Sequence, residues 1–372
     1  MPVQETRRFE GVPIVSWGID VERDAWDQMR NVANLPFAYD HVALMPDAQP
    51  GYGMPIGGVL AAEGHVVPYA IGVDIGCGVS LIEIDLGADV VREGDVRRLM
   101  DRIRAIVPVG NGPRGNHRTP KEPWRTDCSA RIARFAQAAE RQLGTLGGGN
   151  HFLELQEGVD DGRVYFMLHS GSRSLGKKTC DLHVKEARDF ARASGIDLPH
   201  KDVAYLPVST HEGRAYLEDM RWCMDWAAEN RRRMAIAVQN AIESTWRGVT
   251  SRVALDCHHN FAAVETHDGK DLVVHRKGAI RARAEDTVLI PGSMSTGSFI
   301  GQGLGNPASF ATCQHGAGRL RSRTATRKLL ADTDMDQLMG GVYLSSPGDV
   351  RDEASPAYKD IFAIMDASSD LV

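Results

Sequence analysis

The sequence predicts a single mixed α+β unit, on three observations. Glycine is abundant, 38 of 372 residues, which points to many tight turns and backbone-lined sites. The stretch from Leu217 to Trp246 has neither Gly nor Pro and places Met224, Ala227, Met234, Val238, Ala241 and Ile242 near helical spacing, so one long amphipathic helix is expected there. No internal repeat and no Pro- or Ser-rich linker divides the chain, so a single domain over 1–372 is expected.

Taken in order, residues 41–80 alternate short apolar runs with Gly and Pro and read as strands and turns. Residues 91–107 and 128–143 carry charged, helix-compatible patterns. Tyr165–His169 is an apolar run with glycines on both sides, followed by a Gly/Ser loop and a charged helix from Cys180 to Ala193 that Gly195 can end. After the long helix come two short strands, Val253–Asp256 and Leu272–His275, and then the Gly/Ser-rich segment Pro291–Gly305. Polar residues at strand ends and Gly-rich loops are where sites form.

Composition narrows the class. Hydrophobic residues at 42% and charged residues at 25% are ordinary for a globular protein. Met1–Glu10 is polar and no apolar run is long enough to cross a bilayer, so a cytoplasmic protein without a membrane partner is expected. Cys77, Cys128, Cys180, Cys223, Cys257 and Cys313 form no CxxC pair, which favours free thiols, one of them a candidate metal ligand. The formal net charge of −6 excludes a wholly basic surface, yet Arg319, Arg321, Arg323, Arg327 and Lys328 cluster, so phosphate binding would be local.

Asp74 and Cys77 in VDIGCG lie three residues apart among glycines, so a carboxylate and a thiolate can converge on one cation. Alone, this is a turn with a buried cysteine. His151 in GGGNHFLE, His169 ending a strand, and His259 in DCHHN lie beside Gly, Asn or strand termini and bring the candidate ligands to five. One bridging thiolate would let two ions share the site. Successive side chains on a strand face opposite ways, so His259 is the candidate ligand and His258 a packed neighbour.

Two phosphate-loop matches fail. GNGPRG fits the dinucleotide fingerprint literally, but Pro113 and the following NHRTPKEP offer no helix N-terminus. GSRSLGKK is one residue short of a Walker A loop, and Lys178 stands where a hydroxyl should hold magnesium. A different cradle is suggested by PGSM, Ser298 and HGAG, whose small residues leave backbone N–H groups able to face phosphate. His315 within it can attack an α-phosphate, although a lone His in a Gly loop is more often structural. Arg173, Arg276, Lys277, Arg319 and Arg323 lie close in sequence to these segments; singly, each reads as a solvated charge.

Together, VDIGCG, LGTLGGGNHFLE, LHSGSRSLG, CHHN, RKGAIRA, IPGSMSTGSF and QHGAGRLRSRT closely resemble the RtcB family of tRNA-splicing and RNA-repair ligases, from about Asp47 to Val372. The resemblance implies an α+β catalytic domain with a central β-sandwich flanked by helices. It implies GTP and two Mn2+ as cofactors, and as substrate RNA with broken ends, tRNA halves or damaged RNA, whose 3′-phosphate or 2′,3′-cyclic phosphate is joined to a 5′-hydroxyl. By the same resemblance Asp74, Cys77, His151, His169 and His259 are metal ligands, Cys77 bridging both ions. Asn150, His151, Phe152, Leu153, Glu154, His259, Asn260, Pro291, Gly292, Ser293, Met294, Ser298, His315, Gly316, Ala317 and Gly318 match GTP-contacting segments, with Glu154 reading guanine and His315 becoming guanylylated. Arg173, Lys277 and Arg323 match RNA-phosphate residues. A monomer is expected, with an archease-like activator as a candidate partner.

The sequence also departs from the family pattern. MPDAQPGYG has Gln49 where the family carries a histidine, although Asp47 matches. Family members run on to a Lys-Gly tail whose lysine contacts the nucleotide, whereas this sequence stops at Val372, so a truncated sequence or altered nucleotide affinity is expected. NGPRGNHRTPKEPW has no clear family equivalent, and a different RNA end is its candidate ligand. Two alternatives stay open: an enzyme that guanylylates 3′-phosphates but seals weakly, and a non-catalytic RNA-end-binding protein.

Overall fold

Two β-sheets meet end to end at His259, and the candidate site lies at that junction. The structure is a computed structural model and describes residues 2–344 and 350–372. Its strands are β1 (Glu5–Arg7), β2 (Ile14–Ser16), β3 (Ala38–Gln49), β4 (Ile56–Ala62), β5 (His65–Val66), β6 (Gly78–Gly87), β7 (Phe152–Glu157), β8 (Arg163–Ser170), β9 (Leu206–Pro207), β10 (Ser251–His258), β11 (Asn260–His267), β12 (Lys270–Lys277), β13 (Ala279–Arg281), β14 (Thr287–Pro291), β15 (Ser298–Gln302) and β16 (Thr312–Gln314). The helices are α1 (Arg23–Ala33), α2 (Glu93–Ile106), α3 (Ala133–Ala139), α4 (Arg173–Ala193), α5 (His211–Thr245), α6 (Arg323–Leu329), α7 (Met335–Met339) and α8 (Ile361–Ala367).

The larger sheet runs β1-β2-β3-β4-β12-β11 and the smaller β10-β6-β8-β7. The pair β2–β3 is parallel, and the other pairings in these sheets are antiparallel. His259 separates β10 from β11, so one continuous segment of chain serves both sheets. Helix α5 covers β6, β8 and β10, while α1 packs on β3. The expected α+β fold of sheets flanked by helices is therefore present.

The predicted long helix is α5, with Thr210 capping its N-terminus through the Gly213 N–H. Ala227, Met234, Val238, Ala241 and Ile242 are buried, as their spacing suggested, and Met224 is half-buried. Helix α4 begins at Arg173, seven residues before the start predicted at Cys180. The Gly/Ser loop is correspondingly short, and Arg173 takes a φ of 57° at the turn into the helix. Gly176 and Lys177 therefore lie inside α4, and Lys177 is exposed and paired with Asp181 at 2.6 Å. No phosphate loop exists there. Among the described residues no helix is long and apolar enough to cross a membrane.

Candidate active site

Cys77 is delivered by a turn that only glycine permits. The Cys77 N–H donates to the Asp74 carbonyl at 3.1 Å and the Gly76 N–H to the Asn260 carbonyl at 2.8 Å. Gly76 has φ +74°, and a Cβ there would sit 2.7 Å from the Met224 Cα. A Cβ at Gly171 would collide with the Asp74 carboxylate. That close approach lets the Ser172 N–H and Oγ donate to Asp74 Oδ1 at 2.8 and 3.0 Å.

His169 is the last residue but one of β8, opposite Val79 of β6 and Phe152 of β7. Its Nδ1 lies 3.0 Å from the Asn150 carbonyl, and His151 Nδ1 lies 2.9 Å from that of Leu146. A carbonyl only accepts, so both Nδ1 atoms carry the proton and both Nε2 lone pairs are bare. These Nε2 atoms converge on Cys77 Sγ, at 3.3 Å from His169 and 3.6 Å from His151. His259 Nε2 is 3.4 Å from His169 Nε2, and Asp74 Oδ2 is 3.3 Å from His151 Nε2.

The donors fall into two groups, Cys77–His169–His259 and Asp74–Cys77–His151, each with ligand atoms within 4.8 Å of one another. Cys77 belongs to both. Burial and neighbouring imidazoles hold His169 and His259 well below the usual histidine range, which keeps them neutral. Burial and the Asp74 charge push the Cys77 thiol well up. For Asp74, burial, which raises the carboxyl, is outweighed by the facing His151 ring and the hydrogen bonds from Ser172, leaving the carboxyl below its ordinary value. Bare nitrogen, sulfur and carboxylate donors facing one another at these distances suit cations, which would draw the proton from Cys77.

Two residues missed by the sequence reading hold these loops. Asn230 and Arg231 sit on the buried face of α5. The Asn230 amide donates to the carbonyls of Thr145 and Gly171 and accepts from the N–H groups of Gly144 and Thr145. The Arg231 guanidinium donates to the carbonyls of Gly76 (2.9 Å) and Ser170 (3.0 Å), each next to a ligand, and pairs with Asp256 at 2.6 and 2.8 Å. No signal in the sequence singles them out, because they lie within the polar run Glu229–Arg233, and Asp219 and Glu229 of the same helix are buried too. His258 is a packed neighbour, its Nδ1 3.0 Å from the Gly76 carbonyl.

His315 lies beside the first group, its ring centroid 4.9 Å from that of His259. Its Nδ1 is 2.6 Å from Oδ2 of the fully buried Asp47, which also accepts from the His315 N–H at 3.2 Å. Among the described residues Nε2 has no hydrogen-bond partner. Asp47 was matched to the family only as part of a motif, and its role as the orienting carboxylate is visible only in three dimensions. Gly318 has φ +71°, and a Cβ there would collide with the Asp47 carbonyl.

Around His315, the Ala317 N–H donates to the Pro291 carbonyl at 3.2 Å, joining HGAG to PGSM. The Gly292 N–H bonds the Gly297 carbonyl, and the Ser293 N–H bonds Thr296 Oγ1. Ser293 Oγ donates to Ser355 Oγ at 2.7 Å, and Met294 packs toward Leu330 and Met335. Phe152, Glu154 and Gln156 share one face of β7, and Gln156 reaches Ser298 Oγ at 3.1 Å. Leu153, on the opposite face, packs into the core, so only its backbone faces this region. Burial pushes the Glu154 carboxyl up to about 7. The Asn260 side chain donates to the Asp74 carbonyl and accepts from the Gly278 N–H, holding the ligand turn.

The candidate phosphate residues are placed differently from one another. The Arg173 guanidinium donates to Thr145 Oγ1 (3.2 Å) and the Gly110 carbonyl (2.9 Å), and lies against Gly147 beside His151. Arg323 pairs with Glu353 at 3.0 Å and lies against Gly149. Lys277 is buried, its Nζ donating to the carbonyls of Met54 (2.7 Å) and Tyr52. Arg276 is fully buried against Glu265 and Thr312, away from the site. Arg319 is engaged with Glu353 at 2.8 Å.

The sequence matches the family model described as tRNA-splicing ligase RtcB over residues 28–131 and 123–372. The chain belongs to the RtcB family. Among its relatives, the RNA-splicing ligase RtcB of Escherichia coli K12 is 37% identical over 389 residues, spanning 98% of this chain and 95% of that protein. The tRNA-splicing ligase RtcB of Thermococcus kodakarensis is 33% identical, spanning 90% of this chain and 85% of its own length. The Mycobacterium tuberculosis relative, also called RNA-splicing ligase RtcB, is 33% identical over 92% of this chain and 95% of its own length. These RtcB relatives match along nearly the whole chain, which spans both donor groups and His315.

Proposed function

We propose that the chain is an RNA ligase that uses GTP and a divalent cation pair to join a 3′-phosphate, or a 2′,3′-cyclic phosphate after its hydrolysis, to a 5′-hydroxyl. The observation that carries this reading is the placement of His315: Nδ1 fixed on a buried carboxylate, Nε2 unbonded, beside five metal-type donors. A neutral imidazole so oriented is a competent nucleophile.

His315 Nε2 attacks the α-phosphorus of GTP, a P–N bond forms and pyrophosphate leaves. Asp47 keeps the imidazole in the reactive tautomer and balances the charge it gains. The RNA 3′-phosphate oxygen then takes the guanylate from His315, and the 5′-hydroxyl attacks that activated phosphate, releasing GMP. Two cations, manganese by the family pattern, would be held by Asp74, Cys77, His151, His169 and His259 and would supply Lewis-acid stabilisation of phosphoryl charge.

Glu154 on the accessible face of β7 accepts from guanine in its ionised form, which disfavours adenine. Ser298 shares that rim, and the segments 291–294 and 315–318 line the phosphate side. Arg173 and Arg323 flank the Gly147–Asn150 loop and hold RNA phosphates. Lys277 contributes to the same end by fixing the 52–54 loop, and it reaches a phosphate only by releasing a carbonyl.

The test is incubation with α-labelled GTP and manganese, followed by denaturing electrophoresis of wild type and His315→Ala. A covalent label present in the wild type and lost in the variant is expected. No label with any divalent metal would overturn the reading. Product analysis on a broken tRNA stem-loop then separates sealing from capping of the 3′ end alone.

A further inference from the structure

The segment 111–126 is not used by the chemistry above, and its last residues lie where the two pieces of the family match overlap, at 123–131. It carries Arg114, Arg118, Lys121 and Arg125 against one acid, Glu122, in a chain of net charge −6. Arg125 is neutralised by Asp127 and Asp225 at 2.7 and 2.8 Å. Arg114, Arg118 and Lys121 are exposed and have no carboxylate partner among the described residues. Arg141 adds a fourth cation, its guanidinium donating to the carbonyls of His117 (2.9 and 3.0 Å) and Arg118.

This segment is anchored beside the donor cluster. Val109 bridges Gly147, the Gly110 N–H donates to the Gly147 carbonyl at 2.6 Å, and the Leu146 N–H donates to the Pro108 carbonyl at 3.0 Å. Arg173 closes the junction: its Nη2 donates to the Gly110 carbonyl, and a Cβ on Gly115 would sit 2.8 Å from the same atom. Leu146, whose carbonyl fixes the His151 tautomer, thus belongs to the strip that carries the loop. At the far end Trp124 packs on Trp222 of α5, with ring centroids 6.4 Å apart. The cations therefore sit on a segment anchored at Arg173 at one end and at Trp222 at the other, with Arg141 bonded to its middle.

We infer that Arg114, Arg118, Lys121 and Arg141 form a docking tract for the RNA sugar–phosphate backbone next to the reacting ends, independent of base sequence. The inference rests on the proposed function only in taking RNA as the substrate. Unpaired cations on a fixed support lose little ordering entropy on binding, and each phosphate neutralised releases counterion. No base-reading pattern accompanies them, so affinity and not sequence choice is their contribution.

The test compares the full chain with the triple variant Arg114→Ala/Arg118→Ala/Lys121→Ala. A control variant removes three exposed cations elsewhere, Arg23→Ala/Lys185→Ala/Arg192→Ala. Binding of a fluorescent single-stranded RNA is followed by anisotropy between about 50 and 200 mM salt. The triple variant is expected to bind at least tenfold more weakly at low salt and to lose about two from the log–log salt slope. The control should keep wild-type binding, and all three proteins should label at His315 alike. An unchanged slope in the triple variant, or an equal loss in the control, would overturn the tract. Absence of labelling in the wild type with a tract-dependent salt slope would instead sink the ligase chemistry and leave the tract standing.

Discussion

The donor cluster around Cys77 and the loops around His315 are neighbours, yet they are held by different means. The cluster is clamped from behind by Asn230 and Arg231 of α5, which bond the backbone of the loops carrying its ligands. Its histidine tautomers are set by backbone carbonyls, which cannot change their role. The His315 side depends on one carboxylate, Asp47, and on hydroxyls such as Ser293, Thr296 and Ser355 that bond one another. A cation needs donors at fixed distances, whereas a nucleotide, on the function proposed above, would replace hydroxyl partners with its own oxygens. The first region is accordingly built for geometry and the second for exchange.

The largest effect should come from the cluster. In Cys77→Ala both donor groups lose their shared member, so two-ion binding by elemental analysis and all ligation are expected to vanish. Retention of two ions would show that the thiolate does not bridge. Next, Arg231→Met removes the ion pair of Asp256 and takes one donor from each of the Gly76 and Ser170 carbonyls. Stability should fall by about 3–5 kcal/mol in urea unfolding, and a loss below 1 kcal/mol would mean the clamp is dispensable.

On the other side of the comparison, Asp47→Asn should slow guanylate transfer to His315 by about a hundredfold or more, because the amide can present its N–H to Nδ1 and favour the wrong tautomer. Labelling time courses with GTP affinity measured separately test this, and an unchanged rate would remove Asp47 from the chemistry. Glu154 gives a pH signature. Its carboxyl is pushed up to about 7, so it is neutral below that and charged above. GTP affinity should therefore rise as pH climbs through about 7, and Glu154→Gln should abolish the rise. For the fold the sign is opposite: the neutral form suits burial, so this group's stabilising contribution is lost as pH rises from the ordinary carboxylate range to about 7. The smallest effect is expected for Lys177→Ala, which should leave nucleotide use unchanged because Lys177 lies exposed within α4. A marked loss would revive the phosphate-loop reading.

Much of this protein was legible in the residues. The 3.6-residue spacing of apolar side chains marked α5, short apolar runs marked the regions of β3 to β6, β8, β10 and β12 but not the remaining strands, and the five donors could be named because His, Cys and Asp beside Gly-rich turns are chemically distinctive. The motif order was enough to indicate the family. The start of α4 was missed because the expected Gly/Ser loop was already helical at Arg173, where the hydrogen bond from the Ser172 N–H to Asp74 fixes the turn into the helix.

Tertiary structure alone decided which polar residues act at a distance in sequence. Arg276 and Lys277 are adjacent cations, but strand alternation turns one into a buried pair with Glu265 and the other onto the carbonyls of the 52–54 loop. Asp47 meets His315 across 268 positions, and Arg231 meets Gly76 across 155. Such contacts leave no periodic trace, because hydrogen bonding between distant segments depends on where the sheets cross and not on local spacing. Residue chemistry could therefore be read from the sequence, whereas convergence, tautomer and burial required the fold.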